Sequence, residues 1–284
     1  MRNLLFLILF AVIVSCSSQK QNNKQILFVS ILPEKYFVEQ IADTMFDINV
    51  MVEKGKNPAI YEPTPMQMKK LSKAKAFFTI GAPYEKKWIP KLQKIYPDLK
   101  IIKIDSGIEK IPMENPFDIK TDSILNLDPH IWLAPELVKI QIKNIYNTLV
   151  QISPRNKDFF DKNYRDFIEK IDSLQRYINE RLANIKNRSF IVFHPSWGYF
   201  AKEFNLKQIP VEIEGKSPSA KELGNIINFA KQHKLHTILI APQFSKKELQ
   251  IIAKQIDGKI VEADPLAYNW LQNLKNIADK LSDE

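Results

Sequence analysis

Short apolar runs alternate with segments of helical spacing along most of the chain. Gln25–Ile31 is one such run, closed by Pro33, after which Tyr36, Phe37, Gln40 and Ile41 follow at the three- and four-residue steps of a helix. Asp47–Val52 reads as a second strand that ends in the turn-like stretch Lys54–Pro58. Ala76–Ile80 reads as a third, stopped by Gly81-Ala82-Pro83 ahead of a helical segment around Trp88. Strands separated by helices pair in parallel, so the pattern predicts an α/β sheet. From Ile108 to Leu127 the rhythm fails: prolines and the acidic residues Glu109, Glu114, Asp118 and Asp122 predict a surface loop.

A longer period occupies the middle of the chain. Phe160, Tyr164, Phe167, Ile171, Leu174, Ile178, Leu182 and Ile185 recur at steps of three and four, behind Ser153 as a cap and Pro154 at the first helical position. About thirty residues at 1.5 Å each give a helix of roughly 45 Å, enough to run the length of a two-lobed protein; a coiled-coil arm is the alternative. Beyond it the α/β rhythm resumes, with strands at Ser189–Phe193, Thr237–Ala241 and Lys259–Ala263, each followed by a helix. No internal sequence repeat indicates duplication. The predicted organisation is a leader over residues 1–15, a tether over 16–24, an N-terminal lobe over 25–150, a linking helix over 151–187 and a C-terminal lobe over 188–284.

The leader changes what the rest means. Met1–Ser15 carries one positive charge and then an unbroken apolar run, too short to span a bilayer as a mature helix, and predicts an export signal. It stops at Val14-Ser15-Cys16, where a small residue precedes the single cysteine and a polar stretch follows. This resembles a bacterial lipoprotein signal, which implies that Cys16 becomes the acylated first residue of the mature protein. No cysteine then remains for an internal disulfide. Of the residues, 45% are hydrophobic and 26% charged, which excludes a disordered or low-complexity chain. The net charge of +9 comes from scattered lysines on an exported protein, so it predicts solvated surface rather than a nucleic-acid face. With 7 glycines against 17 prolines and no phosphate-cradling glycine loop, nucleotide chemistry is a poor fit.

Four histidines remain as candidate chemistry. His233 and His236 sit in a charged helix end and predict surface positions. His130, in Leu127-Asp-Pro-His-Ile-Trp-Leu133, and His194, in Phe190-Ile-Val-Phe-His-Pro-Ser-Trp197, each follow an apolar segment beside a proline and near a tryptophan. In open α/β sheets the carboxyl ends of strands face the ligand crevice, so two imidazoles placed there from different lobes make a natural metal clamp. Asp264 follows the strand ending at Ala263 and is the candidate third ligand; its alternative role is a cap on the last helix.

Six motifs in order then resemble the metal-binding subunits of bacterial zinc and manganese ABC importers, the cluster A-I solute-binding proteins. They are Tyr61-Glu-Pro-Thr-Pro65, Asp128-Pro-His-Ile-Trp-Leu133, His194-Pro-Ser-Trp-Gly-Tyr-Phe200, Glu214-Gly-Lys-Ser-Pro-Ser219, Pro242-Gln-Phe-Ser245 and Asp264-Pro-Leu266. The resemblance implies two parallel-sheet α/β lobes joined by one long rigid helix, with a metal cleft between the lobes. It implies a lipid-anchored binding protein in the periplasm or at the cell surface, a monomer that catalyses nothing and delivers Zn²⁺, or Mn²⁺ as second choice, to an ABC permease.

The chain departs from that family in three places. Where the family has an imidazole ahead of the Tyr-Glu-Pro motif, this chain has Ala59, and a methyl group cannot coordinate. The His-rich loop of many zinc-specific members is absent, and Ala241 stands where a Glu is common. Three outcomes compete at the first ligand position: Glu62 or Tyr61 swings in as a substitute, a water fills the place, or the site no longer holds bare metal tightly. The expected metal set is thus His130, His194, Asp264 and Glu62. Two rival functions follow from the vacancy: a zinc hydrolase using an open coordination position, and an adhesin or receptor for a metal complex.

Overall fold

The computed structural model describes residues 24–114, 127–212 and 218–283; Cys16, Asp118, Asp122 and residues 214–217 of the Glu214-to-Ser219 motif lie outside them. The first lobe contains β1 (Ile26–Val29), α1 (Leu32–Ala42), β2 (Asp47–Val50), α2 (Pro65–Leu71), β3 (Ala74–Thr79), α3 (Pro83–Ile95) and β4 (Lys100–Lys103). Its strands pair in parallel in the order β2-β1-β3-β4. Leu27, Phe28 and Val29 are all buried, as expected of a strand covered by helices on both faces. The second lobe contains β5 (Ser189–Val192), α6 (Gly198–Glu203), β6 (Lys207–Pro210), α7 (Ala220–Gln232), β7 (Thr237–Ile240), α8 (Lys247–Ile256), β8 (Lys259–Glu262) and α9 (Trp270–Ser282). Its order, β6-β5-β7-β8, repeats the first topology, again in parallel.

Between the sheets stand α4 (Pro135–Ile152) and α5 (Lys157–Leu182). The 26 residues of α5 span roughly 39 Å, somewhat less than the stripe predicts. Ser153 is not its cap: Pro154–Asn156 form a separate 3-10 turn, and the Asn156 amide donates to Ser153 Oγ at 2.7 Å. Phe160, Phe167, Ile171, Leu174, Ile178 and Leu182 are buried along α5, which packs against α1, α4 and α9. One apolar core therefore runs from the first sheet through α5 into Val192, Leu239, Trp270 and Leu274 of the second lobe.

The edge strands β4 and β6 escape the sequence pattern for a physical reason. Lys-Ile-Ile-Lys has charged ends and Lys-Gln-Ile-Pro ends in proline, both marks of an edge strand rather than of an apolar run. The stripe of α4 is present at Val138, Ile142, Ile145 and Leu149, but buried Gln141 and Thr148 interrupt it. The Gln141 amide nitrogen donates to Ile131 O at 3.2 Å, while its Oε1 is buried with no hydrogen-bond partner among the described residues.

At the switch point of the first sheet, Glu85 of α3 staples the ends of β1 and β3. It accepts from Ser30 Oγ and from the backbone N–H of Ile80 (3.1 Å) and Gly81 (2.8 Å). Gly81 has φ +85°, and a Cβ there would run into Lys110 Nζ and stand 3.1 Å from Asp105 Oδ2, so glycine is required. Burial pushes the Glu85 carboxyl from its ordinary 4.5 up to about 7, against the pull of those three donors. Between these values the folded chain holds a proton that the unfolded chain has released, so this contribution to stability falls as pH rises from 4.5 to about 7. Glu34, buried beside it, is pushed the same way by burial and by Glu85. Glu85→Gln is expected to flatten part of that fall. Urea unfolding of metal-free protein at several pH values across this window checks it, and an unchanged pH slope refutes it.

Candidate metal centre

His194 lies two residues beyond β5, at the point where the strand order of the second sheet reverses. That is where open α/β sheets place ligands. His130 arrives from the other side of the molecule, on the segment between residue 127 and the 3-10 turn Ile131–Leu133. The two rings stand with centroids 5.2 Å apart and planes at 71°. Two imidazoles bound through nitrogen at about 2.0–2.1 Å to one tetrahedral ion would be roughly 5 Å apart, centre to centre. The spacing fits a shared cation.

Each imidazole is held from behind by a carboxylate. Asp128 Oδ1 is 2.6 Å from His130 Nδ1 and also accepts the His130 backbone N–H at 2.8 Å. Both Glu212 oxygens are 3.2 Å from His194 Nδ1. Among the described residues no partner engages either Nε2, so those lone pairs are open to a ligand. Burial lowers the His130 pKa, with Asp128 pulling the other way. A neutral imidazole at pH 7, the form that coordinates, is the result.

The segments are tied together across the lobes. Tyr199 of α6 donates from its hydroxyl to Asp128 O (2.9 Å) and accepts from Ile111 N (3.0 Å). Trp132 Nε1 donates to Pro265 O at 2.7 Å, joining the turn after His130 to the residue after Asp264. Trp270 Nε1 in turn donates to Trp132 O at 2.6 Å.

Asp264 and Glu62 have other partners. Asp264 Oδ1 accepts the Leu266 N–H at 2.9 Å in the turn ahead of the last helix; it is not that helix's cap, which is Asn269 with its side chain accepting from Gln272 N. The Gln243 amide stands beside its carboxylate without an aligned hydrogen bond, and burial raises the Asp264 pKa against both. Glu62 is exposed, with one oxygen on Lys87 and the other accepting from Trp88 Nε1 at 3.1 Å. The Lys87 hydrogen bond is the main cause of its lowered pKa. Among the described residues no three His, Cys, Asp or Glu side chains form a metal-holding group, so the structure assembles the histidine pair and not the full expected set. Ala59 is exposed on the loop after β2, its N–H donating to Asn57 Oδ1 at 2.8 Å. His233 and His236 are on the surface, the latter with Nδ1 3.0 Å from Ile256 O.

Two residues that matter here are not singled out by the sequence pattern. Asp128 has a local signal, two residues before the histidine in Asp-Pro-His. Glu212 has none, because it lies 18 residues from His194 and meets it only through the sheet.

The family model described as zinc-uptake complex component A, periplasmic, matches residues 27–284. The high-affinity zinc uptake system protein ZnuA of Bacillus subtilis is 27% identical over 252 residues, covering 86% of this chain and 79% of its own. A manganese ABC transporter substrate-binding lipoprotein, PsaA, of Streptococcus anginosus is 25% identical over 309 residues, covering 98% and 97%. Among solved structures, a crystal structure of ZnuA is 37% identical, with a TM-score of 0.85 over 92% of this chain and 98% of that one.

Proposed function

The chain belongs to the periplasmic zinc-uptake component A family, and we propose that within it this protein captures Zn²⁺, with Mn²⁺ second, and hands it to the permease of an ABC importer. The protein is a carrier and not an enzyme. The observation that supports the reading is the pair of imidazoles 5.2 Å apart, each backed by a carboxylate. His130 and His194 are assigned as ligands, and Asp264 as the third, because Trp132 ties the segment after Asp264 to the segment after His130. Water completes the shell in the place vacated at Ala59, and Glu62 stays with Lys87 and Trp88. Two nitrogen donors favour Zn²⁺ over Ca²⁺ or Mg²⁺, while an oxygen-rich remainder keeps Mn²⁺ in reach.

Zinc added to metal-free protein is expected to raise the melting temperature, because a ligand that binds only the folded state stabilises it by about 2.7 kcal/mol at a hundredfold excess over Kd. A melting temperature unmoved by Zn²⁺, Mn²⁺ and Co²⁺ alike refutes the assignment.

The finer placement is a monomer on a lipid anchor at Cys16, supported by the apolar leader that ends in Val14-Ser15 and the polar tether behind it. Cys16→Ala is expected to leave the leader uncleaved or to release the protein from the membrane fraction. A variant processed and retained like the wild type removes the anchor from the account.

A further inference from the structure

We propose that Glu212 is a positioning residue that sets the metal-binding form of His194, an assignment resting on the reading of the histidine pair given above. Glu212 is 6% exposed, and its two oxygens are equidistant from His194 Nδ1. Its backbone is held as part of the sheet. Val211 N donates to Val192 O at 2.8 Å and Glu212 N to Phe193 O at 2.9 Å, so the β5–β6 pairing continues past the strand ends and brings the carboxylate alongside the histidine.

An ionised carboxylate can only accept hydrogen bonds. Facing Nδ1, it holds the imidazole proton there and leaves the lone pair on Nε2, where an ion can take it. His130 receives the same service from Asp128 within its own turn, and its side chain is packed to 11% exposure. His194 is 25% exposed and has less packing to fix its ring. Its orientation and tautomer therefore depend more on the one carboxylate that reaches it. The vacancy at residue 59 sharpens that dependence, since each of the remaining nitrogen donors carries a larger share of the affinity.

The test uses the full chain in metal-free form and zinc ion as the probe. Long-range proton–nitrogen correlation spectra distinguish the two nitrogens of each imidazole. Wild-type His194 is expected to carry its proton on Nδ1, and Glu212→Ala to shift it toward Nε2 while His130 stays unchanged. Competition with a chromophoric chelator is expected to show zinc affinity roughly 10–100-fold weaker in Glu212→Ala. Glu212→Gln keeps an acceptor and loses the charge, so a smaller loss is expected, with the metal-free melting temperature held. Should the alanine variant fail to fold, the glutamine variant carries both measurements. An unchanged His194 tautomer in the folded variants, or an affinity loss that follows a fall in metal-free melting temperature, overturns the proposal. A wild type that binds no zinc refutes the transport reading instead, and the tautomer measurement, which needs no metal, still decides the part of Glu212.

Discussion

Replacing His130 and His194 together by alanine is expected to abolish the zinc-dependent rise in melting temperature. Each single replacement removes a nitrogen donor outright, so each should weaken zinc binding by more than the 10–100-fold that loss of an outer hydrogen-bond partner typically costs. The pair is the part of the centre that the structure assembles, with ring centroids 5.2 Å apart and both Nδ1 atoms already committed to Asp128 and Glu212. Controls separate lost binding from lost structure. His130 is buried and its removal leaves the Asp128 carboxylate short of a partner, so the metal-free melting temperature must be read beside the affinity. His194 is more open, but its removal takes the Nδ1 partner from the buried Glu212 carboxylate, so the metal-free melting temperature is read beside the affinity there as well. His233→Ala, on the surface at the end of α7, should change neither quantity. Zinc affinity retained in the double variant would place the cation elsewhere on the molecule.

The largest effect on the fold itself is expected at Trp270. Its side chain is 1% exposed and meets Phe37 edge-on at a centroid distance of 5.2 Å. Its indole N–H donates to Trp132 O at 2.6 Å, in the turn directly after His130. Trp270→Ala removes the largest kind of core side chain and leaves that carbonyl unpaired, which costs about 3–5 kcal/mol for the cavity alone. Trp270→Phe keeps most of the apolar volume and loses the hydrogen bond, at about 1–3 kcal/mol. Denaturant unfolding of metal-free protein measures both. Because the residue joins α9 to α1 and to the His130 segment, zinc affinity should fall with it. A loss below about 1 kcal/mol for the alanine variant would show that the two lobes do not share the core that Trp270 fills.

His194 was legible because its signal is local: it closes the apolar run of β5 beside a proline, and strand ends in α/β sheets open onto a crevice, whereas His130 follows no strand among the described residues and sits ahead of a 3-10 turn. The stripe from Phe160 to Leu182 was legible for a similar reason, since a helix of period 3.6 writes its buried face into the sequence. Ser153 misled because proline after it starts a 3-10 turn as readily as a helix, and the true helix begins at Lys157. Lys100–Lys103 and Lys207–Pro210 were silent because an edge strand needs little apolar character on its outer side.

Taken alone, the order of residues determined the alternation of strand and helix, the parallel α/β class, the long helix between two lobes and the choice of the two imidazoles that the fold brings together. Sheet order and the partners of the carboxylates were decided by tertiary structure. Glu62 stands in a motif beside the missing imidazole, yet its oxygens go to Lys87 and Trp88 of α3. Glu212 stands in no local pattern, yet the β5–β6 register sets it against His194. Hydrophobic periodicity reports which face of an element is buried, because burial acts on each residue in its own turn or strand. A hydrogen bond between residues 18 positions apart depends on register and on how the strands are ordered, and that information exists only once the sheet has formed.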